Sequence, residues 1–228
     1  MVTALAAPPA PVDSTGRSGL DFALTEEQEM LVEQVRRFAE ERIRPGVEER
    51  DREHRFPQEI LAEMGELGLL GMLVPEEYGG AGVDPLTYVL AVEEIARVCP
   101  STAVTMSVTN SVCCWPIVHF GSEALKRQVL PGLASGRQLG GLGLTEPGSG
   151  SDAASLRTTA RRDGDSWVLN GEKAWITNAG YASWYVVVAV TDPKAGKRGL
   201  SAFAVPSDAP GFAVGKPEEK LGLNASRT

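Results

Sequence analysis

The pattern of apolar and polar positions changes once along the chain, close to residue 136. Before that point, apolar residues recur with the period of a helix. Thr25-Glu26-Glu27-Gln28 is a capping box, in which the Thr hydroxyl accepts from the amide three residues on and the Gln side chain reaches back. Leu31, Val35 and Phe38 follow at positions i, i+4 and i+7. This spacing predicts an amphipathic helix that begins after Thr25.

Further helices are predicted before residue 136. Pro57 suits the first position of a helix, because its fixed φ is helical and its missing N–H would have no partner there. Residues 74–82 are rich in glycine and predict a loop, after which Asp84-Pro85 begins another helix. The last of these helices is predicted over about residues 122–133.

A stretch of 25 residues without charge separates Arg97 from Glu123. Eleven of the twenty residues 101–120 are apolar, and Thr, Ser and Asn recur among them. A membrane-spanning helix requires about 20 predominantly apolar residues. The stretch therefore predicts a helix buried in the protein and no membrane span. His119, near its end, is expected to pack in the core rather than to bind a ligand.

After residue 136 the apolar positions alternate with polar ones, which is the period of a strand. Asp163-Gly164 and Asn170-Gly171 are dipeptides that favour type I′ hairpin turns. The predicted strands cover residues 156–162, 166–169, 173–177, 184–191 and 200–205.

Helices followed by strands predict an α+β fold with two domains. An N-terminal all-α helical domain (21–136) is expected to precede a β-barrel or sheet domain (137–228). Residues 1–20 are rich in Ala and Pro, cannot supply a core, and are expected to form a disordered tail.

Composition excludes several classes of function. Thirty acidic residues against 22 Lys and Arg leave a net charge of −8, which argues against nucleic-acid binding. Residues 21–66 hold fourteen of the acids and seven Arg, a pattern typical of a solvated face or of a docking surface for a basic partner. Three cysteines, two of them adjacent, give no disulfide framework and indicate a reducing compartment. The Cys and His residues do not have metal-ligand spacing, so no metal site is predicted.

The segment 142–152 is the first candidate for chemistry. Pro147 favours an extended conformation at Glu146, and Gly148 and Gly150 permit positive φ and close approach of the backbone to a ligand. Successive amides in such a loop can bind an anion or a carbonyl group. The segment matches neither dinucleotide-binding nor P-loop glycine patterns. These residues alone leave a plain turn and a ligand loop both open.

Residues 173–178 are the second candidate. As a strand, they would place Trp175 and Thr177 on one face and Ile176 on the other. An aromatic surface beside a hydroxyl group suits a planar heteroaromatic ligand with polar edges. The alternative is a half-buried Trp that packs on a sheet.

Several short motifs occur together and in a fixed order. They are Val74-Pro75-Glu76-Glu77-Tyr78-Gly79-Gly80, Thr145-Glu146-Pro147, Gly150-Ser151-Asp152, Asn170-Gly171-Glu172-Lys173, Trp175-Ile176-Thr177-Asn178 and Lys220-Leu221-Gly222. In this order they closely resemble the acyl-CoA dehydrogenase family, over residues 24–228. The resemblance implies an FAD enzyme that oxidises the Cα–Cβ bond of an acyl-CoA thioester to a trans-2-enoyl product. It also implies electron transfer to an electron-transfer flavoprotein and a homo-oligomer, dimer or tetramer, in the full-length protein.

The resemblance also implies roles for individual residues. The residues expected to bind FAD are Leu142, Leu144, Thr145, Gly150, Ser151, Trp175, Ile176 and Thr177. Trp175 would pack on the flavin ring and Thr177 would donate toward its N5 edge. Ser151 would lie where the flavin diphosphate and CoA approach each other, and Thr191 would contact CoA. Thr105, Met106 and Val108 resemble the wall of the family's acyl pocket.

The chain also departs from the family pattern. Leu142 stands where relatives often carry an aromatic residue, and Asn224 stands where an Arg is common. The family's C-terminal helical bundle, which carries the catalytic glutamate, has no counterpart up to Thr228, so no catalytic residue is assigned.

Two alternatives stay open: an oxygen-using relative (acyl-CoA oxidase or flavin monooxygenase), and a chain that binds a ligand or a partner without turnover. The expected compartment is the cytoplasm for a bacterial source and the mitochondrial matrix for a eukaryotic one.

Overall fold

The computed structural model describes residues 23–228, so the predicted tail lies outside the described residues. Within this range the helices come first and the strands second, which confirms the predicted α+β order. The α-helices are α1 Glu26–Phe38, α2 Val47–Arg52, α3 Gln58–Glu66, α4 Pro85–Val98, α5 Pro100–Ser107, α6 Trp115–Phe120 and α7 Glu123–Ala134.

Side-chain caps begin two of these helices as predicted. At α1 the amide of Gln28 donates to Thr25 Oγ1 at 3.2 Å, and the amide of Thr25 donates to Gln28 Oε1 at 3.1 Å. At α4 the Asp84 carboxylate accepts from the amide of Leu86 at 2.8 Å. Pro57 caps α3 from just outside instead of beginning it, because its ψ of 56° is not helical.

The uncharged stretch forms the predicted buried helix in three consecutive pieces. A π-helical segment, Val108–Cys114, joins α5 to α6. Thr105, Thr109 and Asn110 on this stretch are fully buried. Within residues 23–228, no helix is both long and apolar enough to cross a membrane.

The expectation that His119 lies in the core is wrong. His119 is exposed, and its ring stacks on Trp115 with centroids 4.0 Å apart. It follows Ile117, the last buried position of α6, so the helix carries His119 and the 80% exposed Phe120 past the core.

Five strands form one mixed sheet in the described part of the chain, with β4 at its centre. β4 pairs along its length with β5 (antiparallel), at its start with β1 (parallel) and at its end with β2, which continues into β3. The strands are β1 Gly140–Gly143, β2 Thr159–Asp163, β3 Ser166–Asn170, β4 Trp184–Val190 and β5 Leu200–Pro206.

The sheet packs directly on the helices. One apolar cluster joins Met106 of the helical part to Tyr185 of β4, and a second joins Cys113 to Val186. At Gly140 the approach is so close that an added Cβ would lie 2.4 Å from the Cys113 Cβ. Glycine at this position therefore allows β1 to lie against the buried helix.

Of the two predicted hairpins, one forms. The turn at Asp163-Gly164 connects β2 to β3, and Gly164 has a φ of +60°. The predictions of a hairpin turn at Asn170-Gly171 and of a strand over residues 173–177 are wrong. Gly171 lies against Thr158, so that an added Cβ would be 2.4 Å from Thr158 Oγ1. Beyond it the chain leaves the sheet as irregular structure, with a φ of +60° at Trp175.

Candidate functional site

The two segments with candidate chemistry are neighbours in the fold. The main-chain N–H of Ala174 donates to the main-chain oxygen of Thr145 at 2.8 Å. The side chain of Asn178 donates to the oxygen of Gly140 at 2.9 Å, and an added Cβ at Gly143 would lie 3.3 Å from Lys173 Cγ. Residues 173–178 therefore lie against β1 and the residues that follow it.

A buried ion pair joins these segments. Lys173 Nζ lies 2.8 Å from Glu146 Oε1 and donates a second hydrogen bond, of 3.1 Å, to the main-chain oxygen of Leu144. The Glu146 carboxylate also accepts from the amides of Arg157, at 2.7 Å, and Thr158, at 2.9 Å. The side chains of Lys173 and Glu146 are only 11% and 6% exposed.

These contacts hold Glu146 in its ionised form. Burial alone would raise the pKa of the Glu146 carboxyl group, because it disfavours the charge. The hydrogen bonds from Lys173, Thr158 and Arg157 outweigh burial and lower the pKa of Glu146 to about 2. The residue is thus an anchor for the turn that precedes Pro147 and is poorly suited to accept a proton.

The glycines of the loop do not adopt the expected positive φ. Neither Gly148 nor Gly150 is among the residues with positive φ, and a Cβ added to either would meet no described atom within 4 Å. The turn is instead closed by a pair of hydrogen bonds between the main chains of Glu146 and Ser149. Gly150 and Ser151 are exposed.

Trp175 combines two unfavourable features. Its φ of +60° lies in the left-handed region, and its large side chain is 60% exposed. Ile176 and Thr177 beside it are partly buried. The expectation that Trp175 and Thr177 share one face of a strand is wrong, because this segment is not a strand.

Asn178 is a buried residue at the end of the Trp175 segment, and no role was predicted for it from the sequence. It is fully buried, with a φ of +66°, and its main-chain N–H donates to the main-chain oxygen of Arg227 at 2.8 Å. Together with the bond to Gly140 this ties the end of the Trp175 segment to both β1 and the C-terminal residues. Its signal in the sequence is Asn178-Ala179-Gly180, since Asn tolerates the left-handed region and favours turns.

Apart from Ser151, the residues with predicted substrate roles lie outside the 142–151 loop and the Trp175 segment. Thr191 follows β4, and its hydroxyl bonds with the oxygen of Gly199 at 3.0 Å and Ser201 Oγ at 2.9 Å. Thr105 and Met106 are fully buried. They do not line an open surface in this structure.

Two family models match the chain in the order of its two parts. The model of the acyl-CoA dehydrogenase N-terminal domain covers residues 25–137, and that of the acyl-CoA dehydrogenase middle domain covers residues 141–228. The chain belongs to the acyl-CoA dehydrogenase family. Enzymes of this family are FAD-dependent oxidoreductases.

Similar acyl-CoA dehydrogenase chains include a curated relative from Bos taurus, "Short-chain specific acyl-CoA dehydrogenase, mitochondrial". It is 52% identical over 205 residues, which are 90% of this chain and 50% of the relative. The chain thus spans about half the length of the curated relatives it matches.

Two solved structures of similar fold bear on the site. A glutaryl-CoA dehydrogenase from Mycobacterium smegmatis, solved in complex with FADH2, matches with a TM-score of 0.84 and 40% identity, over 90% of this chain and 51% of that one. A chain from work on the electron transferring flavoprotein of Acidaminococcus fermentans and flavin-based electron bifurcation matches with a TM-score of 0.89 and 45% identity, over 91% of this chain and 55% of that one.

Proposed function

We propose that this chain forms the FAD face and part of the acyl-CoA site of an acyl-CoA dehydrogenase. The proposed reaction removes two hydrogens from Cα and Cβ of an acyl-CoA thioester and yields a trans-2-enoyl-CoA. The name of the bovine relative supports a short acyl chain. The structural neighbour solved with FADH2 supports FAD as the cofactor.

The observation that carries the proposal is the state of Trp175. A residue other than glycine in the left-handed region is strained by about 1–3 kcal/mol, and an exposed indole forgoes the stabilisation of burial. The contacts of Lys173, Ala174 and Asn178 hold the backbone of this segment in place, but they leave the indole exposed. A planar ring that covers Trp175 would offset the second cost, and the hydrogen bond from Ala174 to Thr145 keeps this segment next to the loop that is proposed to bind the same ligand.

The proposed cofactor face combines side chains with main-chain groups. Leu142, Leu144 and Thr145 are partly buried and lie at or just after β1, and Gly150 and Ser151 are exposed in the loop that follows. Ser151 is proposed to contact both the cofactor diphosphate and CoA. On the other side of the bond between Thr145 and Ala174, Trp175, Ile176 and Thr177 complete the face. Thr191 is proposed to contact CoA from the end of β4.

Bound FAD supplies the acceptor for the hydride that leaves Cβ. The contribution of this chain is binding and orientation, because Glu146 is held ionised and fully engaged by Lys173 and two amides. No residue of the chain is proposed as the base that takes the α-proton.

The electron-transfer flavoprotein is proposed as the electron acceptor, since one structural neighbour comes from work on such a protein. A homo-oligomer is proposed for the full-length enzyme. The proposed compartment is the cytoplasm in a bacterium or the mitochondrial matrix in a eukaryote, the latter matching the name of the bovine relative.

A titration of the purified chain with FAD tests the cofactor assignment. Flavin fluorescence should be quenched with saturable binding, and Trp175→Ala should weaken that binding. Trp167→Ala is the matched control, because Trp167 is 45% exposed on β3, outside the proposed site. Equal affinity of the Trp175→Ala and Trp167→Ala variants would contradict the assignment.

In the flavin-loaded full-length protein, rapid reoxidation by air after reduction with butyryl-CoA would favour an oxidase or monooxygenase instead.

A further inference from the structure

The ion pair of Lys173 and Glu146 connects three stretches of chain at once. The lysine comes from the segment that carries Trp175, and the glutamate comes from the loop after β1. The carboxylate also holds the amides of Arg157 and Thr158, which lead into β2. Loss of the lysine charge would remove the bonds to Leu144 and Glu146, and loss of the glutamate charge would weaken those from Lys173, Arg157 and Thr158.

Stability alone does not account for such a pair. Two charges taken out of water lose hydration that their attraction only partly returns, and well-packed apolar residues often replace a buried pair without loss. Apolar packing is not directional, whereas hydrogen bonds between charged groups fix the relative position of the two segments. Lys173 Nζ bonds to two different oxygens, of Leu144 and Glu146, and this sets the position of its segment along the loop.

The ion pair lies next to the main-chain hydrogen bond between Ala174 and Thr145, which joins the two segments of the proposed cofactor face. Thr145 lies between Leu144 and Glu146, and its oxygen receives the amide of Ala174, which lies between Lys173 and Trp175. Trp175, with its strained backbone, directly follows the residue that makes this main-chain bond. Lys173 binds an oxygen of the residue before Thr145 and an oxygen of the residue after it.

We propose that Lys173 and Glu146 are positioning residues of the cofactor site: their ion pair holds the Trp175 segment against the 144–146 loop and keeps the cofactor face electrically balanced. This inference rests on the proposed function in its second part, the balance of charge beside FAD. Its first part concerns the chain alone and is tested without cofactor.

The first test measures amide hydrogen exchange in the cofactor-free chain. In Lys173→Met, the peptide covering residues 171–178 should exchange about tenfold faster or more, because a buried charge-assisted bond is lost. Lys173→Arg should restore most of the protection, and the peptide covering α1 should be unchanged in both variants. Glu63→Gln is the control, since it removes a partly exposed ion pair with Arg42 that is far in sequence from residues 171–178 and should leave their exchange unchanged. Unchanged exchange of residues 171–178 in both Lys173→Met and Glu146→Gln would overturn the proposal.

The second test measures the reduction potential of bound FAD at pH 8. Lys173→Met leaves the Glu146 charge uncompensated, which disfavours the added electrons and should lower the potential. Glu146→Gln leaves the Lys173 charge and should raise it. The double variant should return toward the wild-type potential, although its FAD affinity stays lower.

These outcomes separate the two proposals. Shifts of the same sign in the two single variants, or none, would contradict the charge balance. A wild-type chain that does not bind FAD would count against the proposed function, and hydrogen exchange would still decide the positioning role.

Discussion

The main-chain N–H of Ala174 donates to the main-chain oxygen of Thr145 across 2.8 Å. This bond joins the loop that follows β1 to the segment that carries Trp175. A change that moves either segment is therefore expected to alter the other.

Backbone strain at Trp175 should be visible as a difference between two substitutions. Trp175→Gly removes the side chain that makes a φ of +60° costly, whereas Trp175→Ala keeps a Cβ there. We expect the glycine variant to be more stable than the alanine variant by about 1 kcal/mol. Urea unfolding of both cofactor-free variants measures the difference. Both should bind FAD more weakly than the wild type, and a more stable alanine variant would contradict the strain.

Gly150 offers a test that separates cofactor approach from folding. An added side chain meets no described atom at this position, so Gly150→Val should change the free energy of unfolding by less than about 0.5 kcal/mol. FAD affinity should nevertheless fall, because the branched side chain occupies space that the ligand needs. Gly222→Val is the matched control, at another glycine with open surroundings. Equal FAD affinity in the two variants would show that the loop is only a turn.

The hydroxyl of Thr177 is expected to donate a hydrogen bond to the flavin. Thr177→Ala should weaken FAD binding by about 0.5–1.5 kcal/mol, the usual net value of one such bond. Isothermal titration with FAD measures the loss, and the absorption spectrum of the bound flavin should shift with it. Thr159→Ala, at the exposed start of β2, serves as the control. An unchanged affinity and spectrum would remove Thr177 from the site.

Acid should destabilise the chain partly through Glu146. Its folded pKa of about 2 is lower than the ordinary value of 4.5, so its contribution is fully present above pH 4.5 and is lost as the pH falls toward 2. The shift corresponds to about 3 kcal/mol at pH 7. The difference in unfolding free energy between the wild type and Glu146→Gln should shrink by more than half between pH 7 and pH 3. A constant difference would mean that the carboxylate is not held as described.

The 228-residue chain supplied with FAD should not turn over acyl-CoA. A general base must come within about 2.6–3.2 Å of the proton it takes, and Glu146, the buried carboxylate of the loop, is bound to Lys173 instead. Anaerobic mixing with butyryl- through palmitoyl-CoA should leave the flavin absorbance unbleached. Repeated formation of enoyl-CoA would mean that a base exists among residues described here as structural.

Local signals predicted the helical part well, because caps and helical periods act within a few residues. The capping box at Thr25 and the Asp84 cap form as expected. The errors in the β part lie where contacts between residues distant in sequence decide the structure. The turn at Gly171 and the strand over residues 173–177 do not form, because Thr158 packs against Gly171 and Glu146 binds Lys173.

The candidate site was predictable in its residue types but not in its geometry. Glycines at 148 and 150 indicated freedom of the backbone, and the fold uses ordinary φ values there. Conversely, a lysine and a glutamate separated by many residues carry no local pattern. Their pairing becomes visible only when the chain between β1 and β4 returns to the sheet.

That return has a consequence for the order of folding. β1 and β4 are parallel neighbours, and the chain between them contains the β2–β3 hairpin and nearly all of the proposed cofactor residues. Pairing between such distant segments closes a long loop and is slow, whereas the helices form from local contacts. A nascent chain that has left the ribosome only as far as residue 183 would carry every proposed cofactor residue and lack the strand that fixes them. FAD should therefore bind only after β1 and β4 have paired, and it cannot assist the earlier steps of folding.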